Sequence, residues 1–144
     1  MFARTTFRMA VLAIFIVSAG IAQGQDKIQK YFNDTAAKVK ATSDPVQKRE
    51  VLTKSFESMV NSLDKVQGTP LVSQNDKIEI AKLKTIIAEK QDELAGRNGF
   101  ERVPDAELNA FASYVVQDME QAEQMVHISL VALLLIILIA VVAL

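Results

Sequence analysis

The sequence predicts an all-α protein: an antiparallel four-helix (helical hairpin) ectodomain whose last helix continues into a C-terminal transmembrane helix. Three observations lead there. Apolar residues recur at steps of four and three through four separate segments, the period of a helix with one buried stripe. No run of Val, Ile and Thr alternates with polar residues between turn signals, so the strand signature is missing. Hydrophobic residues make up 50% of the 144, and their excess is gathered at the two ends.

The chain opens with Arg4 and Arg8 and no acid, followed by an uncharged, mostly apolar run over residues 9–21 and the small-x-small triplet Ala22-Gln23-Gly24. Those are the three parts of a secretory signal peptide, and the run falls short of the about 20 apolar residues a spanning helix needs. Residues 1–24 are therefore expected to be a signal peptide cleaved after Gly24, with retention as an uncleaved anchor as the alternative. Residues 25–125 form the helical ectodomain and residues 126–144 the transmembrane anchor.

The first helix is expected over residues 26–42, where Ile28, Phe32, Thr35, Val39 and Thr42 form a heptad stripe. The second opens at Asp44-Pro45: Asp44 caps, Pro45 suits the first helical position and Gln47 completes a capping box. Leu52, Phe56, Met59, Leu63 and Val66 form its stripe, and Gly68 and Pro70 stop it. Ser73, with Asp76 three residues on, opens the third, whose apolar positions are Ile80, Leu83, Ile87 and Leu94 with Ile86 beside them; Gly96 suits the left-handed position after its end. The fourth begins near Asp105 and carries Leu108, Ala112, Val115, Met119, Ala122 and Val126.

No Pro or Gly separates that last segment from the tail, so one continuous helix is expected from about Asp105 to Leu144. Residues 126–144 carry no formal charge, and Leu130 onward is only Leu, Ile, Val and Ala. At about 1.5 Å per residue this stretch measures roughly 28 Å, close to a hydrocarbon core. It has no Gly and no polar residue deep in the span, so it reads as a helix facing lipid, without the small-residue face that drives helix association. A glycolipid-anchor signal is the rival reading, disfavoured because the preceding stretch is rich in Asp, Glu and Gln.

Charge supports the pairing of the first and fourth helices. Residues 25–54 hold seven Lys and Arg against four Asp and Glu, while residues 101–125 hold one against six. Over the whole chain, 16 Lys and Arg against 17 Asp and Glu leave no field directed at nucleic acid.

Chemistry-bearing residues are few. With no Cys there is no disulfide, thiol nucleophile or Cys-type zinc site, and the one His, His127, offers no metal cluster. His127 reads as an interfacial side chain with a wet tip rather than as a proton relay or shared ligand. Asp92, Glu93, Asp118, Glu120 and Glu123 are expected on solvated helix faces, where acid–base catalysis has no desolvated cleft. No glycine-rich phosphate loop or nucleophile elbow is present, so no catalytic residue, cofactor or metal is assigned and an enzyme is not expected. The most unusual stretch is residues 96–104, with two Gly, a Pro, two Arg and an aromatic. Phe100 as an anchor with Arg97 and Arg102 as polar clamps would make it a partner-binding loop; the plainer reading is a tight helix connection with Phe100 covering the core end.

The expected function is that of a small exported protein, single-pass and membrane-anchored, acting by protein contact as an adaptor, scaffold or accessory subunit of a complex in a bacterial envelope. Its ectodomain would lie on the exported, periplasmic or extracytoplasmic side, with a protein partner or a second copy of itself and no nucleic acid. Zero Cys suits that compartment better than a disulfide-stapled secreted module. The alternative is a bundle that binds an apolar ligand or lipid, lined by Phe56, Met59, Phe111 and Met119.

Overall fold

The computed structural model describes residues 26–144, and the expected signal peptide lies outside the described residues. Five α-helices follow one another: α1 (Asp26–Ala41), α2 (Pro45–Gln67), α3 (Gln74–Ala95), α4 (Leu108–Met125) and α5 (Leu130–Ala143), with a 3-10 turn, Asp105–Glu107, leading into α4. No strand occurs among the described residues.

The helix ends sit where the local chemistry puts them. The Asp44 carboxylate accepts the Val46 N–H at the start of α2, with Pro45 at the first helical position; this is a direct cap, and Gln47 is exposed. Ser73 caps α3 by accepting the Asp76 N–H at 3.0 Å. Gly96 ends α3 at φ 81°, in the left-handed region, and a Cβ there would lie 2.7 Å from the Arg102 nitrogen. The loop folds so tightly over the helix end that only glycine fits.

Successive helices run up and down. Lys48 Nζ donates to the Val39 carbonyl across the α1–α2 turn, Lys84 pairs with Asp64 between α2 and α3, and Lys90 pairs with Asp118 between α3 and α4. α1 packs most closely on α4, as the charge pattern anticipates. The complementary charges meet at helix ends rather than as a ladder: Glu123 accepts the Ile28 N–H at 3.2 Å, next to the α1 N-terminus, and Arg49 pairs with Asp105 at 2.8 Å. The core follows the expected stripes except at Thr42, which is only half-buried: Ile28, Phe32, Thr35 and Val39, every stripe position of α2, the four main positions of α3, the five of α4 and Val126 just after it are buried. Tyr31, Ala36, Phe111 and Tyr114 widen those stripes, so the core is thicker than heptad spacing alone implies.

The continuous helix expected from Asp105 to Leu144 does not form. α4 stops at Met125, residues 126–129 are extended, and α5 turns back along the bundle. α5 packs chiefly on α2, with a smaller contact to α1. Its buried positions are Ala132, Leu133, Ile136 and Ala140, and the α2 side of the contact includes Ser62. The Ser62 hydroxyl donates to the Ile136 carbonyl. The tail thus does have a small-residue face: Ala132 and Ala140, two turns apart, let the helices approach closely. With 14 residues α5 measures about 21 Å, and no helix among the described residues is long and apolar enough to cross a membrane.

Candidate functional site

α5 is an unusual element to find folded against a bundle. One face is buried; the other exposes Leu130, Val131, Leu134, Leu138, Val141, Val142 and Leu144, with Leu138 60% and Val142 76% accessible. A contiguous apolar face of this kind marks an interaction surface.

What holds the helix in place is a pair of carboxylates on the first turns of α3. Asp76 accepts the Ser129 N–H at 2.9 Å with one oxygen and the Ser129 hydroxyl at 2.7 Å with the other. Ser129 in turn caps α5 by accepting the Ala132 N–H at 3.3 Å. One turn further on, Glu79 accepts the His127 N–H at 2.9 Å and a 3.0 Å ion pair from Lys82. In the extended segment the His127 and Ser129 donors are thus satisfied by side chains, and the Val126 N–H donates to the Ala122 carbonyl, which an interrupted helix requires. Burial alone would raise the Asp76 pKa; hydrogen bonds from Ser129 and Ser73 outweigh it and hold the carboxyl below its ordinary 3.8. The His127 N–H, then Lys82, hold Glu79 below its ordinary 4.5. His127 itself is exposed and contributes its backbone, not its imidazole.

These two acids escape a reading based on stripes, because Asp76 looks fully employed as a capping residue. A signal was nonetheless present at the other end: Ser129 is the last hydroxyl before an uninterrupted apolar run, the position of an N-cap.

The expected partner loop is closed over the end of the bundle that also carries the α1–α2 turn. Arg49, from α2, donates to the carbonyls of Leu94 (3.3 Å) and Val103 (2.8 Å) as well as pairing with Asp105. Arg97 folds back to Asp92 at 3.1 Å, and Asn98 donates to the same carboxylate at 2.7 Å. These donors, Asn98 first, lower the Asp92 pKa. Phe100 is half-buried and Arg102 is exposed. Of the three expected contact residues, Arg97 is thus already engaged within the loop. Because α5 doubles back, Leu144 lies at this same end, beside Thr42 and Gln47; a continuous helix would have put the loop far from the tail.

Two of the acids expected on solvated faces are not there. Lys90 is 2% exposed and is ringed by Asp118, Glu93 (3.2 Å) and the Tyr114 hydroxyl (2.9 Å), with its ammonium 4.3 Å from the centre of the Tyr114 ring. Burial alone would lower the Lys90 pKa, but the Asp118 hydrogen bond and the charges of Asp118 and Glu93 raise it above the ordinary 10.5. Burial pushes Glu93 up and the Tyr114 phenol up to about 12. This cluster ties α3 to α4. Phe56, Met59, Phe111 and Met119, the expected cavity lining, are wholly buried in the core.

An open groove lies elsewhere, between α1, α2 and the C-terminal half of α5. It encloses about 690 Å³. Tyr31, Thr35, Val51 and Ser55 form its floor, Ile137, Val141 and Leu144 one wall, and lysines of α1 and α2 its edge. Among the described residues no group of three or more His, Asp or Glu side chains is placed to hold a metal ion. Comparison with protein-family models, with curated proteins and with solved structures finds no match for the chain.

Proposed function

We propose that this chain is an exported accessory protein of a bacterial envelope that attaches to a membrane through α5 and works by protein contact. The observation that carries the reading is the exposed face of α5, seven large apolar side chains on a helix with no polar residue between Leu130 and Leu144. In the stowed arrangement this face offers lateral contact with an apolar phase. Released from Asp76 and Glu79, residues 126–144 form an uncharged segment of roughly 28 Å if fully helical, the length of a span. The exposed end of the bundle, with Phe100 and Arg102, is then the surface for a protein partner.

The test is membrane fractionation of cells producing the full chain, with and without Leu134→Lys and Leu138→Lys. Both positions are exposed, so the bundle tolerates the change. The unaltered chain should sediment with membranes and the double variant should move to the soluble fraction. A variant that stays with the membranes sinks attachment through α5. Crosslinking through a tag in the ectodomain then tests the contact role: Phe100→Ala should weaken a stoichiometric partner band, and an unchanged band removes this loop from the proposal.

A further inference from the structure

The groove between α1, α2 and α5 has a composition that neither the attachment face nor the core requires. Its edge carries four lysines, Lys27, Lys30 and Lys38 on α1 and Lys54 on α2, against two acids, Asp34 and Glu50. Lys30 pairs with Asp34 at 3.2 Å and Lys54 with Glu50 at 3.6 Å, both pairs largely exposed. Among its side chains the edge is left with two positive charges in excess. Flexible lysine stems can lie along an apolar wall while their ammonium groups reach an anion.

The inner surface is different in kind. Ile137, Val141, Leu144 and Val51 are apolar. The hydroxyls of the floor are already satisfied: Tyr31 donates to the Ser55 carbonyl at 2.8 Å, and Thr35 shares a 2.7 Å hydrogen bond with the Ser55 hydroxyl. Burial pushes the Tyr31 phenol up to about 12, so it stays neutral. The remaining polar side chains, Thr42 and Gln47 included, are confined to the edge; along the floor and the α5 wall a peptide or a sugar would find few partners, whereas an alkyl chain needs none. The groove follows α1 from Lys27 to Thr42, about 22 Å at the helical rise, and its volume falls in the range of small-molecule sites.

We propose that this groove binds a single-chain anionic amphiphile, its alkyl chain along Val51, Ile137 and Val141 and its head group at the lysine edge. The site shares Val141 and Leu144 with the attachment face, but Leu134 and Leu138 do not line it, so the two can be perturbed separately. The shared chemistry is one alkyl chain ending in a carboxylate or a phosphate, as a free fatty acid or a lysophospholipid would supply.

The experiment is calorimetric titration of the protein, purified as produced in cells, with dodecanoate, dodecyl phosphate and an uncharged dodecyl glycoside, all kept monomeric. Binding of at least one anionic probe ten-fold or more tighter than the glycoside is expected, and the stronger of the two identifies the head group. Lys27→Gln, Lys30→Gln, Lys38→Gln and Lys54→Gln together should remove that preference. Ile137→Asn should weaken every probe ten-fold, with unchanged helix content by circular dichroism. The Leu134→Lys, Leu138→Lys chain should bind as tightly as the unaltered one, which separates this site from membrane attachment. Equal affinity for all three probes, or anion binding that survives both the lysine and the Ile137 changes, overturns the proposal.

Discussion

Replacing Asp76 by Ala should unlatch α5. The carboxylate makes two hydrogen bonds to Ser129, at 2.9 and 2.7 Å, and belongs to the first turn of α3. Hydrogen bonds to a charged group are each worth about 1.5–3 kcal/mol net in favourable cases. Taking the low end for both gives about 3 kcal/mol against the docked state of α5, which is roughly a 100-fold rise in the undocked population. The chain has no Cys, so Ala140→Cys, at a fully buried position on the inner face of α5, reports opening through its labelling by a water-soluble thiol reagent. Labelling should quicken about 100-fold when Asp76→Ala is added, because slow labelling of a buried site tracks the open population. A change of less than about three-fold would falsify the view that Asp76 holds α5. The pH dependence has a definite sign. Asp76 and Glu79 have lowered folded pKa values, so their contribution is complete above the ordinary 3.8 and 4.5 and is lost as pH falls through the folded values. Labelling of the Asp76-intact protein, taken relative to that of a freely accessible thiol at the same pH to correct for the falling thiolate fraction, should therefore accelerate only in strong acid.

Other perturbations have equally direct readouts. Lys90→Met leaves Asp118 and Glu93 facing each other without their cation and should cost about 3 kcal/mol, seen as a lower urea midpoint with unchanged slope; an unchanged midpoint would mean the cluster is energetically idle. In the unaltered protein the raised Lys90 pKa predicts that this contribution persists up to pH 10.5 and fades only as pH rises toward the folded value. Gly96→Ala forces a left-handed alanine against the Arg102 backbone and should destabilise by at least about 2 kcal/mol in the same assay. Arg49→Ala removes the donor that ties the loop carbonyl of Val103 to that of Leu94 at the end of α3, so amide exchange over residues 96–104 should rise well above that of the neighbouring helix α2.

The four helices of the bundle were legible because their boundaries are local. Asp44-Pro45, Gly68, Ser73 and Gly96 act on backbone groups within a turn of themselves, and their chemistry needs no tertiary knowledge. The stripes were legible for the same reason: Leu52, Phe56, Met59 and Leu63 repeat at the helical period whatever they pack against. The break at residues 126–129 was not legible in that way. Nothing in Val126-His127-Ile128-Ser129 forbids a helix; the segment is extended because Glu79 and Asp76, about 50 positions earlier, take the N–H groups of His127 and Ser129. Lys90 was hidden by the same kind of distance, since its neighbours in sequence suggest a charged surface while Tyr114 and Asp118 come from another helix. The groove could not be foreseen at all, because one of its walls belongs to α5 and exists only once that helix has turned back.

The seam between α2 and α5 bears on what the protein withstands. There the Ser62 hydroxyl donates to the Ile136 main-chain carbonyl, on a helix whose buried face carries Ala132 and Ala140, a contact made by close approach and hydrogen bonding. Contacts of that type work where water is absent, whereas the Phe32, Phe56 and Phe111 core depends on water being present outside it. Resistance to mild detergent should therefore be uneven across the molecule. The α1–α4 packing would loosen first, and α2 and α5 would remain paired as the last folded remnant.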